Sequence, residues 1–190
     1  MDLSTIAFLV ILATVGLTRL AELQISRRHQ RELARRGIQK RPDPQYRWMV
    51  ILHAGVLAGA ALEVLLLRRP FIPVLAACMS LLVVLAMSLR WWVIHTLGTH
   101  WNVEVMASTP LGVVTKGPFR WVRHPNYLGV FVELVALPLI HTAWITAIVA
   151  GVGNAWVLHN RLRVEEPMLH ADPAYRIAMA WKPRFIPKLF

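Results

Sequence analysis

Three apolar runs, each about as long as a membrane is thick, limit the folds that this chain can adopt. They cover residues 3–23, 48–67 and 71–89, and the last run continues towards Leu97. A helix crosses a hydrocarbon core of about 30 Å with roughly 20 apolar residues. The runs therefore predict membrane-spanning α-helices, and a composition of 56% hydrophobic and 16% charged residues agrees.

A fourth apolar run, residues 128–158, is too long for one span and is interrupted near its middle. Pro138 and the polar pair His141 and Thr142 stand where one helix can end and another can begin. We expect a hairpin of two helices over residues 128–160, with a single kinked span as the alternative. The predicted fold class is all-α, a polytopic integral membrane protein of about five transmembrane helices.

The basic residues predict the orientation of these spans. Eight lie in the segment 26–47, four in 90–124 and six in 161–190, whereas the second connection holds two. By the positive-inside rule, the N-terminus is expected outside and the C-terminus in the cytoplasm. Arg19 is expected to end the first helix, and the arginines that follow should lie on a helical extension against anionic headgroups. This asymmetry accounts for a net charge of +11 without nucleic acid as a partner.

The sequence divides into two parts that differ in polar content. Residues 1–89 are predicted to form a transmembrane scaffold of three spans, with the basic segment 26–47 in the cytoplasm. Residues 90–190 contain repeated polar interruptions, although both parts should form a single membrane domain. Polar groups are costly within a membrane and are usually kept for function or pairing. We therefore expect the chemistry in residues 90–190.

Two histidines near the start of this second part do not predict a metal site. His95 and His100 are five residues apart, so they do not share a helix face, and no second pair with ligand spacing accompanies them. The chain also has no GxGxxG motif after a strand and no P-loop. We therefore expect neither a metal ion nor a Rossmann domain.

The segment 111–129, LGVVTKGPFRWVRHPNYLG, is polar between two apolar regions. Gly112 and Gly117 flank β-branched residues, which favours an extended, tightly turning segment that a ligand can approach. Pro125 suits the first turn of the next helix and keeps His124 out of helical geometry. The free backbone amides of that first turn favour a negatively charged group.

A second polar group follows the predicted hairpin. Arg161 and Glu165 are four residues apart and therefore lie on one helix face, where they can pair. They are expected near the same inner boundary as the segment 111–129. Together these features predict a cytoplasm-facing cofactor pocket for an anionic or zwitterionic ligand, open to a lipid substrate from the bilayer.

The segment 111–129, the apolar hairpin and the sequence RLRVEE at 161–166 together resemble the isoprenylcysteine carboxyl methyltransferase family of integral-membrane methyltransferases. The resemblance covers about half of the chain. It implies that S-adenosylmethionine is held near the cytoplasmic face without a Rossmann domain. It also implies methyl transfer to a lipophilic acceptor from the membrane, so that such an acceptor and membrane lipids are the expected partners.

The matched positions imply a role for individual residues. Those expected to bind the cofactor are Leu111, Gly112, Val113, Val114, Phe119, His124, Pro125, Asn126, Tyr127 and Glu165. Arg161 is expected to bind the acceptor, and Arg161 and His124 are the candidate catalytic residues. Phe119 stands where eukaryotic members commonly have tyrosine, and Met106 where they have glutamine. These two departures weaken the case for a prenylated protein as acceptor.

The function that these features favour is S-adenosylmethionine-dependent O-methylation of a lipophilic acceptor. The acceptor is either a carboxylate of the isoprenylcysteine type or a phenolic lipid such as an alkylresorcinol. A carboxylate needs no base, whereas a phenol must lose a proton, for which His124 and Glu104 are the first candidates. Two alternatives remain: an NADPH-dependent sterol or steroid double-bond reductase of the related membrane fold, and a non-enzymatic membrane adaptor.

Overall fold

The computed structural model describes residues 1–38, 42–104 and 112–187, and the regular structure within these ranges is helical, without β-strands. Its α-helices are α1 (Leu3–Arg35), α2 (Gln45–Leu67), α3 (Pro73–Leu97), α4 (Pro125–Leu139), α5 (Trp144–Ala171) and α6 (Pro173–Met179). Of these, α1, α2 and α3 are long and apolar enough to cross a membrane, and α4 is a shorter apolar helix. The prediction of an all-α membrane protein is confirmed, whereas the count of five spans stays a prediction.

Helix α1 begins at a capped N-terminus and extends well beyond the first apolar run. The side chain of Asp2 accepts a hydrogen bond of 2.9 Å from the backbone N–H of Thr5, which caps the helix. The expectation that Arg19 ends this helix is wrong, because α1 continues to Arg35. Arg19 is instead paired with carboxylates of α1 and α4, so its charge does not have to leave the helix bundle.

The basic part of α1 is a helical extension, as predicted, and it has one buried face. Leu33 and Ser26 on this face are fully buried, and the Ser26 hydroxyl accepts a hydrogen bond of 2.9 Å from the backbone N–H of Val103. The arginines Arg27, Arg28, Arg31 and Arg35 are exposed. Contact of these arginines with lipid headgroups stays a prediction.

The predicted hairpin is confirmed at the predicted interruption. Pro138 lies in the last turn of α4, which ends at Leu139, and α5 begins at Trp144. The buried side chain of Thr142 donates a hydrogen bond of 2.6 Å to the backbone oxygen of Pro70. The turn between α4 and α5 is therefore tied to the α2–α3 connection.

Glu63 of α2 caps the N-terminus of α5, which has no cap from its own side chains. Its carboxylate accepts hydrogen bonds of 3.1 and 2.8 Å from the backbone N–H groups of Ile145 and Thr146, and pairs with Arg69 at 2.7 Å. A carboxylate at a helix N-terminus satisfies free amides and is favoured by the helix dipole. This contact accounts for a nearly buried charge at this end of the bundle.

The buried apolar residues form three clusters, and the largest includes residues from both predicted parts of the sequence. Helix α3 packs on α4, α4 on α5, and α5 on α2. Helices α3 and α4 approach most closely at Gly129, where an added Cβ would lie 2.9 Å from Arg90 Cγ and 3.2 Å from the backbone oxygen of Ala86. The absence of a side chain at Gly129 therefore leaves room for the Arg90 side chain.

The other end of the bundle gathers the polar segments. There the backbone N–H groups of Arg123 and His124 donate hydrogen bonds of 2.9 Å to the carbonyls of Pro183 and Arg184. The C-terminal tail thus runs beside the segment that leads into α4. The orientation of this end towards the cytoplasm stays a prediction.

Candidate functional site

A cavity of about 440 Å³ is lined by residues of all six helices and of the segments 100–104 and 112–124. It brings together every candidate site residue of the sequence analysis that the structure describes: Gly112, Val113, Val114, Phe119, His124, Pro125, Asn126, Tyr127, Arg161 and Glu165. Leu111 lies outside the described residues. The roles of these residues stay predictions, but their convergence on one cavity is an observation.

One wall of the cavity is formed by residues 112–120. Gly112 and Gly117 have φ angles of 109° and 54°, in the left-handed region that favours glycine. An added Cβ at Gly117 would also lie 2.5 Å from Thr96 Oγ1. A short 3-10 turn, Gly117–Arg120, then buries Phe119. The expected extended, tightly turning segment is therefore present from Gly112 onwards.

The first three residues of α4, Pro125, Asn126 and Tyr127, line the cavity. His124 is the N-cap residue, and its side chain makes no capping hydrogen bond. The first amides of a helix need a partner from elsewhere, and a negatively charged ligand group suits them. Asn126 lines the same wall, and its buried Oδ1 has no hydrogen-bond partner among the described residues. The start of α4 therefore provides unpaired polar groups to which a polar ligand could bind.

His124 is buried and contacts Tyr127 of α4 and Glu166 of α5. Its ring stacks on Tyr127 at 5.4 Å between centroids, and its Nε2 lies 3.3 Å from Glu166 Oε1. Burial lowers the pKa of His124, although the negative charges of Glu165 and Glu166 act in the opposite direction. The ring is therefore predominantly neutral at neutral pH.

A connected group of side chains from α4 and α5 also lines the cavity and consists of Tyr127, Arg161 and Glu165. The hydroxyl of Tyr127 donates to Glu165, and Arg161 Nε lies 4.0 Å from Glu165 Oε2. The guanidinium of Arg161 also lies 5.7 Å from the centre of the Tyr127 ring. The predicted pairing of Arg161 with Glu165 on one helix face is confirmed.

Arg161 is fixed by groups that sequence reasoning did not identify. Its Nη2 donates a hydrogen bond of 2.5 Å to the backbone oxygen of Val103 and lies 3.6 Å from Asp43 Oδ2. Its Nη1 lies 3.2 Å from Met49 Sδ. Asp43 is one of two acidic residues in the basic segment 26–47 and lies between two prolines, a contrast through which the sequence could have revealed it.

Three buried charged residues, Glu22, Arg90 and Glu133, form a network with the partly buried Arg19. Arg90 lies 2.5 Å from Glu22 and 3.5 Å from Glu133, while Arg19 lies 2.7 Å from Glu22 and 3.4 Å from Glu133. The expectation that Arg90 belongs to a connection and contributes to the orientation signal is wrong, because Arg90 is a buried residue of α3. In the sequence, the feature that could have indicated this network is the presence of ionisable residues within or beside apolar runs.

The C-terminal tail contacts residues at and beside the site. Lys182 Nζ donates a hydrogen bond of 2.6 Å to the backbone oxygen of Phe119. Glu166 binds Arg184 through contacts of 3.0 and 2.5 Å and lies 3.2 Å from Arg123. The hydrogen bond from Arg184 and the charge of Arg123 lower the pKa of Glu166, although burial, the largest single influence, raises it.

The residues present fit S-adenosylmethionine, which carries an ammonium, a carboxylate and a sulfonium. Glu165 provides a carboxylate for a positive group, and the uncapped start of α4 provides amides for a negative one. Asn126 has a buried oxygen that still needs a donor. The volume of about 440 Å³ falls within the range of roughly 300–1,000 Å³ that is usual for small-molecule sites.

Comparison with known proteins relates this chain to a family and to one bacterial protein. The sequence profile of the isoprenylcysteine carboxyl methyltransferase (ICMT) family matches residues 78–171. An uncharacterized protein of Bacillus subtilis, YpbQ, is 26% identical over 166 residues, which are 85% of this chain and 96% of that protein. The family match ends with α5 and includes α4, Arg161 and Glu165. Through residues 78–171, which carry most of the site, the chain belongs to the isoprenylcysteine carboxyl methyltransferase family.

Proposed function

We propose that this protein is an S-adenosylmethionine-dependent O-methyltransferase that acts on a lipophilic acceptor at the cytoplasmic face of a membrane. Members of its family use S-adenosylmethionine as the methyl donor. The observation that carries the proposal is the pairing, in one cavity, of Glu165 with the uncapped N-terminus of α4 and the unpartnered Asn126 oxygen. These groups complement the two charged ends of an amino acid.

The chain's own residues would bind and orient the reactants. When bound, the cofactor supplies a methyl group on a positively charged sulfur. Tyr127 and Arg161 hold the Glu165 carboxylate in place for the ammonium, so little reorganisation accompanies binding. The wall at Gly112 brings backbone groups close to the ligand without an intervening side chain. Catalysis then rests mainly on alignment of the acceptor with the methyl group, away from water.

An apolar section of the same cavity suits the chain of a lipid. It is lined from α1 and α2 by Gly16, Leu20, Leu23, Val50, Ala54 and Leu57. A hydrophobic acceptor can therefore bury its chain between these helices while its polar end lies in the charged part of the cavity, which is lined by Arg90 and Arg161. The family match favours methyl transfer over NADPH-dependent reduction, and a membrane adaptor would not need an unpartnered amide oxygen in a cavity.

The substitution Glu165→Gln tests the proposed cofactor site. Hydrogen bonds to charged groups contribute about 1.5–3 kcal/mol, so the Kd for S-adenosylmethionine should rise by roughly 10- to 150-fold. The measurement is calorimetric titration of folded protein in detergent with S-adenosylmethionine, its demethylated product and NADPH. Glu32→Gln is the matched control, because Glu32 forms an exposed pair with Arg36 and neither residue lines the cavity.

Two outcomes would contradict the proposal. One is the absence of S-adenosylmethionine binding by the wild-type protein, and the other is an equal effect of both substitutions. Binding of NADPH alone would support the reductase. With the cofactor site established, membranes that contain the protein are incubated with labelled S-adenosylmethionine and host lipid extract, and mass spectrometry identifies the labelled lipid.

A further inference from the structure

His53 of α2 has one ring nitrogen fixed and the other free. Its Nδ1 lies 2.8 Å from the backbone oxygen of Met49, one turn earlier in the helix. A carbonyl oxygen only accepts hydrogen bonds, so Nδ1 is the donor, and in the neutral ring Nε2 carries the lone pair. Nε2 makes no hydrogen bond within the described ranges of the chain. The half-buried ring lines the cavity, so this acceptor is oriented but unused.

The surroundings of His53 contain a second unused group, on Arg90. The Arg90 side chain is 5% exposed and also lines the cavity. Its Nη2 is bound to Glu22, but its Nη1 has no hydrogen-bond partner among the described residues. Arg19 from α1 and Glu133 from α4 complete the charged groups around the ring. A cation with a free N–H therefore lies at the same end of the cavity as a free imidazole lone pair.

This pair of groups lies close to the proposed cofactor site. Arg90 packs against Gly129, which follows Asn126 by three residues, or about 4.5 Å along the axis of α4. His53 is one turn beyond Met49, whose sulfur contacts Arg161. His53 and Arg90 thus lie one turn deeper than Arg161 and Asn126, next to the apolar section of the cavity.

The other candidate bases in the cavity already have partners. His124 Nε2 contacts Glu166, and Glu165 accepts a hydrogen bond from Tyr127. Glu104 lies 3.5 Å from the amide nitrogen of Gln30. A carboxylate acceptor would need no base at all, so a free and oriented imidazole has a use only if the acceptor arrives protonated.

We propose that, when the acceptor is a phenolic lipid, His53 is the general base of the reaction and Arg90 binds the acceptor oxygen. The proposal rests on the proposed methyltransferase function and adds two residues to its mechanism. The hydroxyl proton passes to His53 Nε2, and an electron pair of the oxygen forms the bond to the methyl carbon. The carbon–sulfur bond breaks and its electron pair stays on sulfur, which becomes a neutral thioether. His53 then releases the proton to water.

The test compares two acceptors that carry the same long alkyl chain. One is an alkylphenol that is protonated at the assay pH, and the other is its nitro derivative, which is already ionised. General base catalysis contributes about 10²–10⁴-fold, so His53→Gln should lower kcat for the alkylphenol by at least about 10²-fold. The nitro derivative needs no base, and its rate should stay close to that of the wild type.

The matched control is His95→Gln. His95 Nδ1 also lies 2.8 Å from the carbonyl of the residue four positions earlier, Trp91, but His95 is exposed and outside the cavity. This variant should methylate both acceptors at the wild-type rate. Calorimetric titration with the demethylated cofactor should give wild-type affinity in both histidine variants, which shows that they are folded.

A second measurement does not depend on turnover. With the demethylated cofactor present, the absorbance of the bound nitro derivative is recorded as the pH is lowered through its ionisation. Wild-type protein should retain the phenolate to lower pH than His53→Gln or Arg90→Gln. If Arg90→Gln does not fold, the comparison with His53→Gln still decides the result.

Several results would overturn the assignment. They are an unchanged alkylphenol rate in His53→Gln, equal losses with both acceptors, or wild-type protein that methylates long-chain carboxylic acids but neither phenol. A wild-type protein that binds no S-adenosylmethionine would refute the proposed function itself, and the role of His53 with it. Cofactor binding is therefore measured first, so that the two failures are distinguished.

Discussion

At the scale of single residues, burial and partners decide what a charged side chain does. Glu32 and Arg36 form an exposed pair on α1, of the kind that contributes about 0.3–0.5 kcal/mol. Glu166 has the same chemistry but binds the tail through Arg184 and touches the buried His124. Glu166 therefore joins three parts of the chain, whereas Glu32 adds little to stability.

The burial of His124 predicts a loss of stability in acid. The pKa of His124 is lower in the folded protein than the usual 6.5, so the unfolded chain takes up the proton first. The contribution of His124 is complete above about pH 6.5 and declines as the pH falls. The pKa of Glu166 is also lowered, from 4.5, so its contribution is lost at still lower pH. Both groups therefore contribute less to stability as the pH falls.

Thermal unfolding in detergent between pH 8 and pH 4 measures this effect. The Tm of the wild type should begin to fall below about pH 6.5. His124→Asn should remove the first part of this decrease, while His159→Asn, at an exposed position of α5, should leave it unchanged. Identical pH profiles for all three proteins would show that His124 does not couple folding to protonation.

At the scale of elements, the contact between α3 and α4 positions the deep part of the cavity. Arg90 reaches Glu22 across the bundle because α4 presents no side chain at Gly129. Helix α4 also carries Asn126 and Tyr127 at its start, and both line the cavity. The position of α4 relative to α3 therefore determines where these two side chains lie relative to Arg90. The register between two helices therefore matters more here than the helical propensity of either one.

Gly129→Ala tests the close approach of these helices. The added methyl group would meet Arg90 Cγ at 2.9 Å and the backbone oxygen of Ala86 at 3.2 Å. Overpacking of this kind typically costs about 1–3 kcal/mol, so the Tm should fall. Gly55→Ala in α2 is the control, since nothing lies within 4 Å of its added Cβ. That substitution should be neutral or stabilising by about 0.5–1 kcal/mol. Equal Tm shifts in both variants would refute the close contact.

At the scale of the whole molecule, polar contacts join helices at both ends of the bundle. At one end Glu63 connects α2 to the start of α5, and Thr142 connects the hairpin turn to Pro70. At the other end Arg161 connects α5 to the segment before α2 through Asp43. The cavity lies between helices that are fixed at both ends, which favours a preformed site.

Glu63→Ala should destabilise the whole bundle. It leaves the amides of Ile145 and Thr146 without their acceptor, at about 1–3 kcal/mol for each unpaired buried group. Thermal unfolding in detergent provides the comparison with Glu32→Ala, which removes only an exposed pair and should change the Tm little. A Tm change for Glu63→Ala as small as that of the control would show that this cap does not support α5.

The sequence by itself determined the membrane class, the break between α4 and α5, and the residues of the family motifs. These properties are local, because hydrophobic length, proline geometry and motif spacing act within one segment. The tertiary structure alone decided which charges pair, among them Arg90 with Glu22 and Arg161 with Asp43. It also placed His53 in the cavity. Such neighbours depend on the rotation and axial position of each helix against the others, which are set by packing and are not encoded in the pattern of any single helix.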